Sequence, residues 1–181
     1  MRKSVIAIAL IATIFITPLP TSAASETSRS PSIAGFYGAL IDLRSGWGGA
    51  AACATDGIET QCFLTEQELD QYLTPSIGFS AMRALGDIGI EAVCSTTVRL
   101  YANTFFGGTV LAISIRAAVV NLSTWSFSNV TSSYKIGSCP ATFYDGANAV
   151  PPVYPGGTLA GASATVMWTG WDNRVSSLYI S

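Results

Sequence analysis

Trp171-Asp172-Asn173-Arg174-Val175-Ser176-Ser177-Leu178-Tyr179-Ile180 aligns without a gap on Phe127-Ser128-Asn129-Val130-Thr131-Ser132-Ser133-Tyr134-Lys135-Ile136. Each stretch opens on an aromatic ring, turns through short polar residues that can bond their own backbone, and leaves as a strand. Ahead of each lies a Gly-Gly pair, Gly107-Gly108 and Gly156-Gly157, preceded in turn by Tyr101 or Tyr144. The chain therefore carries an internal repeat. Residues 97–102, 109–115, 118–122 and 132–137 read as the strands of one copy. Residues 141–145, 157–160, 163–167 and 176–180 read as those of the other. A lone unit of this kind would leave an apolar face in water, so the two copies are expected to pair over one core as an antiparallel sandwich.

These residues resemble the βγ-crystallin superfamily. Its Greek key opens with an aromatic, four residues, an aromatic, one residue and a glycine, which Tyr101, Phe106 and Gly108 match. Its arch is a pair of Asn/Asp residues, any two residues, Ser/Thr and Ser. Asp172-Asn173-Arg174-Val175-Ser176-Ser177 meets that pattern fully, whereas Ser128 takes the place of the first acid or amide in the other arch. The second key also departs at its first hairpin, where Pro151-Pro152 and Pro155 fall between Tyr144 and Gly157. The resemblance implies a mainly β, βγ-crystallin-like sandwich of two Greek keys at residues 93–181, with keys at about 93–137 and 138–181.

The resemblance also implies a cofactor, calcium, at one or two sites. The residues carried over are Asp172, Asn173 and Ser176 from the better arch and Ser128, Asn129 and Ser132 from the other, with loop carbonyls from near Asn103 and Asp145. Calcium takes six to eight hard oxygen ligands and binds more tightly as ligand charge rises. Asp172 is the one acid in either arch, so the expected affinity is about micromolar to millimolar. The same Asn and Ser residues could instead build the turn by bonding their own backbone, with no metal.

The remaining composition narrows the function. Met1-Arg2-Lys3, the apolar run from Val5 to Ile16 and the small residues through Ala24 read as a secretory signal peptide at residues 1–24. The apolar run is shorter than the ~20 residues a membrane span needs, so a secreted protein with no membrane span is expected. Charged residues make up 11% of the chain, with a net charge of −2 and no basic run, which argues against a nucleic-acid partner. The chain has no histidine, which removes Ser-His-Asp and Cys-His catalysis. A non-enzymatic role, structural or stress-related, is therefore expected. The alternative is a secreted protease inhibitor or killer toxin-like binding protein, whose partner would be a secreted protease or cell-surface component engaged by the loop at residues 147–155.

The four cysteines, Cys53, Cys62, Cys94 and Cys139, are expected to be oxidised on export. Three pairings are open; the expected one joins Cys53 to Cys62, which closes a short loop, and Cys94 to Cys139, which each precede equivalent strands of the repeat. A four-thiolate zinc site competes, but no Cys-x-x-Cys pair is present. Residues 25–92 read as an irregular N-terminal extension with one short helix near residues 66–73, signalled by the capping box Thr65-Glu66-Gln67-Glu68. Leu69, Tyr72 and Leu73 form its apolar stripe, and Glu66, Glu68 and Asp70 read as an acidic helix start rather than as acid-base partners. Trp47 reads as packing or as an exposed recognition ring, and Tyr154, Trp168 and Trp171 as core or as a sugar platform.

Overall fold

The structure is a computed structural model that describes residues 30–74 and 96–181. The signal peptide expected at residues 1–24, the start of the Greek-key half at residue 93, and Cys94 lie outside the described residues. Four strands come from the N-terminal extension: β1 (Ile33–Phe36), β2 (Ala39–Asp42), β3 (Ala52–Thr55) and β4 (Thr60–Phe63), followed by helix α1 (Glu66–Leu73). The first key supplies β5 (Val98–Asn103), β6 (Gly107–Ile113), β7 (Val119–Asn121) and β8 (Ser133–Lys135). The second supplies β9 (Ala141–Tyr144), β10 (Ser163–Ala164) and β11 (Ser177–Ile180).

The strands form an eight-stranded sheet, in the order β10-β8-β5-β6-β3-β4-β1-β2, and a three-stranded sheet, β7-β11-β9. Each key lends its third strand to the other. Strand β7 pairs antiparallel with β11, placing Val120 opposite Leu178, while β10 pairs antiparallel with β8, placing Ala164 opposite Tyr134. Neither key can close its share of the core alone, so the repeat reads as one folding unit rather than two beads.

Period-two alternation sends successive side chains to opposite faces. From β3, β5 and β6, Cys53, Val98, Leu100, Leu111 and Ile113 join the core between the sheets. Ala52, Ala54, Tyr101, Val110 and Ala112 face the other way, onto Leu69 of α1. The alanines keep that outer face flat enough for a helix to lie on it. The core itself is aromatic: Tyr134 meets Phe143 edge-on at 5.1 Å and Tyr154 at 5.7 Å, and Tyr154 meets Trp171 at 5.3 Å. Edge-on contacts of this kind add to area burial because a positive ring edge meets a negative face.

The extension differs from the irregular segment expected of it. Strand β3 docks parallel to β6 and is followed antiparallel by β4, so the hairpin continues the first key's sheet. Ala-Cys-Ala-Thr has little strand propensity of its own, but all four residues are buried, and tertiary docking overrides propensity. Cys53 and Cys62 face each other in this hairpin and form the expected disulfide. Cys139 is also disulfide-bonded. Trp47 resolves to packing: its ring lies 5.6 Å from Phe127 and its Nε1 donates to the Trp125 carbonyl at 2.8 Å. Trp125 in turn donates to the Pro31 carbonyl at 3.0 Å.

Helix α1 spans the expected residues and carries both halves of its capping box, with Glu68 N donating to Thr65 Oγ1 and Thr65 N donating to Glu68 Oε2. Leu69 is its buried anchor, whereas Tyr72 is exposed against Phe63. The acids at its start serve the sheet. Arg99 of β5 donates to Glu66 at 2.7 Å and to Asp70 at 2.5 Å, and the Tyr101 hydroxyl donates to Glu66 at 2.6 Å. Burial alone would lower the Arg99 pKa, but the bonds to Asp70 and Glu66 leave it raised. The Tyr101 phenol is pushed up by burial and then by its bond to Glu66. Of the imagined sugar platform, Tyr154 and Trp171 are buried and only Trp168 is exposed.

Candidate functional site

The arches sit back to back between the keys, each turned by an asparagine in left-handed conformation: Asn129 has φ 59° and Asn173 has φ 55°. Asparagine tolerates this region better than most residues with a Cβ. Each asparagine amide then donates to the opposite arch, Asn129 N to the Val175 carbonyl at 2.9 Å and Asn173 N to the Thr131 carbonyl at 3.0 Å. The side chains cross as well. The Ser176 hydroxyl donates to Asn129 Oδ1 at 2.8 Å, and the Ser132 hydroxyl lies 3.3 Å from Asn173 Oδ1.

Two equivalent clusters result, each joining the serine of one arch to the asparagine of the other. Behind each lies the hairpin of the serine's own key. Ser132 N donates to the Tyr101 carbonyl and Ser176 N to that of Tyr144, both at 2.9 Å. The next serine closes the hairpin: Ser133 donates to the Asn103 carbonyl and accepts from Phe106 N, while Ser177 donates to the Gly146 carbonyl and accepts from Ala149 N. The first cluster thus holds Ser132, Asn173 and its neighbour Asp172. The second holds Ser176, Asn129 and its neighbour Ser128. Both asparagines and Asp172 are exposed, above the buried Ser132 and Ser176.

The matched bonds correct the alignment of the hairpins. Phe105 and Phe106 have φ values of 57° and 59°, and Asn148 and Ala149, rather than the residues before Gly156-Gly157, take their places at 56° and 61°. The second hairpin therefore keeps its turn and loses its aromatic corner. In the first key Tyr101 and Phe106 rings meet at 5.4 Å, with Lys135 Nζ over both. Gly108 turns out of that corner at φ 74°, where a Cβ would come within 2.9 Å of Asn103 Nδ2. The second key's turn is held from the first key: Asn121 Nδ2 donates to Asn148 Oδ1 at 2.7 Å, and Asn148 N donates back to Asn121 Oδ1 at 2.7 Å.

The proline segment follows the turn, and residues 157–160 do not form the strand expected there. Proline lacks the N–H that a ladder needs. The position is filled instead by a single bridge between Tyr144 and Val153 and by isolated bonds from Tyr154 N to the Phe143 carbonyl and Ala141 N to the Thr158 carbonyl. Asn148, Ala149 and Asn121 escaped the sequence reading. The available signal was the equal spacing from Tyr101 to Phe106 and from Tyr144 to Ala149, which the alignment of glycine pairs obscured.

The donor chemistry suits a hard cation in kind: amide oxygens, hydroxyls and one carboxylate, with no sulfur or nitrogen ligand among them. It is sparing in charge. Among the described residues no group of three or more His, Cys, Asp or Glu side chains converges. Asp145, placed near the second cluster by the sequence, has its carboxylate bonded to Arg174 Nη2 at 2.5 Å. The same bond raises the Arg174 pKa. Asp172 has the Asn173 amide at 3.4 Å.

No protein-family model matches the chain, and no curated protein matches it. Among solved structures it is similar to a βγ-crystallin from Ciona intestinalis, at 23% identity over 47% of this chain and 99% of the other, with a TM-score of 0.41. A βγ-crystallin domain from Flavobacterium johnsoniae is 18% identical over 46% and 92%, with a TM-score of 0.38. One from Clostridium beijerinckii is 13% identical over 46% and 95%, with a TM-score of 0.39. These likenesses are of fold and cover part of the chain. By its exchanged third strands, its folded hairpins and its two arches, the half from Thr96 to Ser181 has the βγ-crystallin fold.

Proposed function

We propose that this is an exported, non-enzymatic crystallin-like protein whose arches bind calcium and so stabilise a durable β-sandwich with a structural or stress-related role. The observation that carries the reading is the crossing of the arches, which brings Asn173 to Ser132 and Asn129 to Ser176. A cation held there by Asp172, Asn173 and Ser132 would tie the two keys together at the point where each depends on the other. Export is supported by the basic, apolar and small-residue order of residues 1–24 and by the disulfide bonds. No helix among the described residues is long and apolar enough to cross a membrane.

A ligand bound only by the native state raises the melting temperature by mass action. Titration calorimetry with calcium chloride should therefore register binding in about the micromolar to millimolar range, accompanied by a higher melting temperature than in chelator. Both responses should be lost in Asp172→Ala. No heat at millimolar calcium, or the same response in Asp172→Ala, would contradict the proposal.

A second reading is favoured by the loop at residues 147–155. It is pinned by Asn121, by Ser177 and by the Tyr144–Val153 bridge, yet it leaves Val150 and Val153 exposed at 54% and 48%. A rigid, apolar-tipped loop loses little entropy on binding a partner such as a secreted protease or a cell-surface component. A protease-inhibition panel decides the matter: inhibition abolished by Val150→Asp with Val153→Asp supports this reading, and no inhibition of any protease removes its protease form.

A further inference from the structure

The two arch clusters match in backbone and differ in charge. Asp145 lies between Tyr144 and Gly146, whose carbonyls are bonded by Ser176 and Ser177, so it stands at the junction of the second hairpin with its arch. Its place in the first key is taken by Ala102, because Tyr144 corresponds to Tyr101. Arg174 likewise corresponds to Val130. The ion pair between Arg174 and Asp145 therefore exists at one cluster only. It is held at three points: Arg174 Nη2 on Asp145, Nη1 on the Gly170 carbonyl at 3.0 Å, and the guanidinium 5.3 Å from the Trp171 ring centroid. The neighbouring serine and asparagine are closed directly on each other at 2.8 Å, against 3.3 Å in the other cluster.

We infer that Arg174 is a tethered cation serving the Ser176–Asn129 cluster, so that calcium is taken at the Ser132–Asn173–Asp172 cluster alone. The inference rests on the calcium reading above and adds to it a stoichiometry and the residue that sets it. A guanidinium already neutralises the one carboxylate of the second hairpin, and a divalent ion arriving beside it meets a like charge and no free acid. At the first cluster no basic side chain among the described residues pairs with Asp172. The carboxylate there is open to an incoming cation. Arginine thus fastens the second arch to the hairpin of its own key, whereas calcium would fasten that arch to Ser132 of the first key.

The test is calcium titration calorimetry on the full chain. The wild type should bind one calcium per chain. Arg174→Gln frees Asp145 and should add a second, weaker binding event, which Arg174→Gln with Asp145→Asn should remove again, while Arg174→Lys keeps the charge and a single site. Asp145→Asn alone, which tests the same point if the glutamine variant does not fold, should leave the one site and its affinity unchanged. Two sites in the wild type, one site in Arg174→Gln, or a lost site in Asp145→Asn would overturn the inference and leave the calcium reading standing. No binding by the wild type would instead overturn the calcium reading, and this inference with it.

Discussion

The two Greek keys agree at their arches and differ at their hairpins. At the arches the correspondence runs atom for atom: left-handed Asn129 and Asn173, amides crossed to Val175 and Thr131, serines closing onto hairpins of the same backbone shape. Away from the arches the first key has paired aromatic rings and a long β6, whereas the second has Ala149, a proline segment and a bridge at Val153 in place of a strand. The exchange of third strands explains the pattern. Each arch must fit the other arch, so both are constrained together, while each hairpin, bonded to the other key at its turn, meets a different neighbour along its strands. On the first key that neighbour is the extension, which covers β6 with β3; on the second it is the proline segment, which covers β9 with scattered bonds.

The largest effect is expected in the core that the two keys share. Phe143 belongs to the second key yet packs fully buried against Tyr134 of the first. Phe143→Ala should cost about 3–5 kcal/mol through lost burial and a residual cavity. Denaturant unfolding followed by tryptophan fluorescence and by circular dichroism should still give one coincident transition, because neither key has a core of its own; two separate transitions would mean the keys fold independently.

The extension is tested next. Removing the Cys53–Cys62 bond, whose sequence separation is 9, by replacing both cysteines with alanine should cost about 2–3 kcal/mol, mainly by freeing the unfolded chain. An unchanged unfolding midpoint would show that the β3–β4 hairpin adds nothing to the stability of the keys it extends.

One difference between the arches can be repaired. Thr131 Oγ1 is a buried side-chain oxygen without a hydrogen-bond partner among the described residues, at the position where the second key has fully buried Val175. Thr131→Val should therefore raise stability, by about 1–2 kcal/mol, since it removes an unsatisfied hydroxyl at nearly constant volume. A loss of stability on thermal melting would mean that the hydroxyl is satisfied in solution.

The asparagines probe the symmetry itself. In chelator, Asn129→Ala and Asn173→Ala should each cost about 1 kcal/mol, from a lost side-chain bond and an alanine in left-handed backbone. With calcium added the two should separate, Asn173→Ala losing the calcium increment in melting temperature and Asn129→Ala keeping it. The smallest effect expected is in acid. The Tyr37 hydroxyl, then the Leu64 and Thr65 amides, hold the Glu68 carboxyl below its ordinary value of 4.5. Its stabilising contribution is thus complete above that value and lost as pH falls through the lower folded-state value. Glu68→Gln should melt earlier than the wild type near neutral pH, and the difference should close in strong acid.

What the sequence made legible follows the same division. The arches, the aromatic hairpin, the capped helix and the Cys53–Cys62 pair are written in local residue patterns with fixed geometry, and each stands where its pattern puts it. Strands β1 to β4 were not legible, because β3 becomes a strand by docking on β6, and β4, β1 and β2 by pairing in turn beyond it, rather than by their own alternation. Residues 157–160 were misread as a strand because Gly156-Gly157 imitates Gly107-Gly108, while the true turn at Asn148-Ala149 carries no aromatic to mark it. The Asp145–Arg174 pair joins residues 29 apart in sequence, a separation that no local pattern encodes.

The most direct test of calcium at the crossed arches is a crystal structure determined from protein equilibrated with calcium chloride, compared with one in chelator. The expected result is a single cation contacting Asp172, Asn173 and Ser132, with Arg174 still on Asp145 and the Ser176–Asn129 bond intact. Arches identical in the two crystals, with Ser132 and Asn173 still facing each other and no cation between the keys, would contradict it.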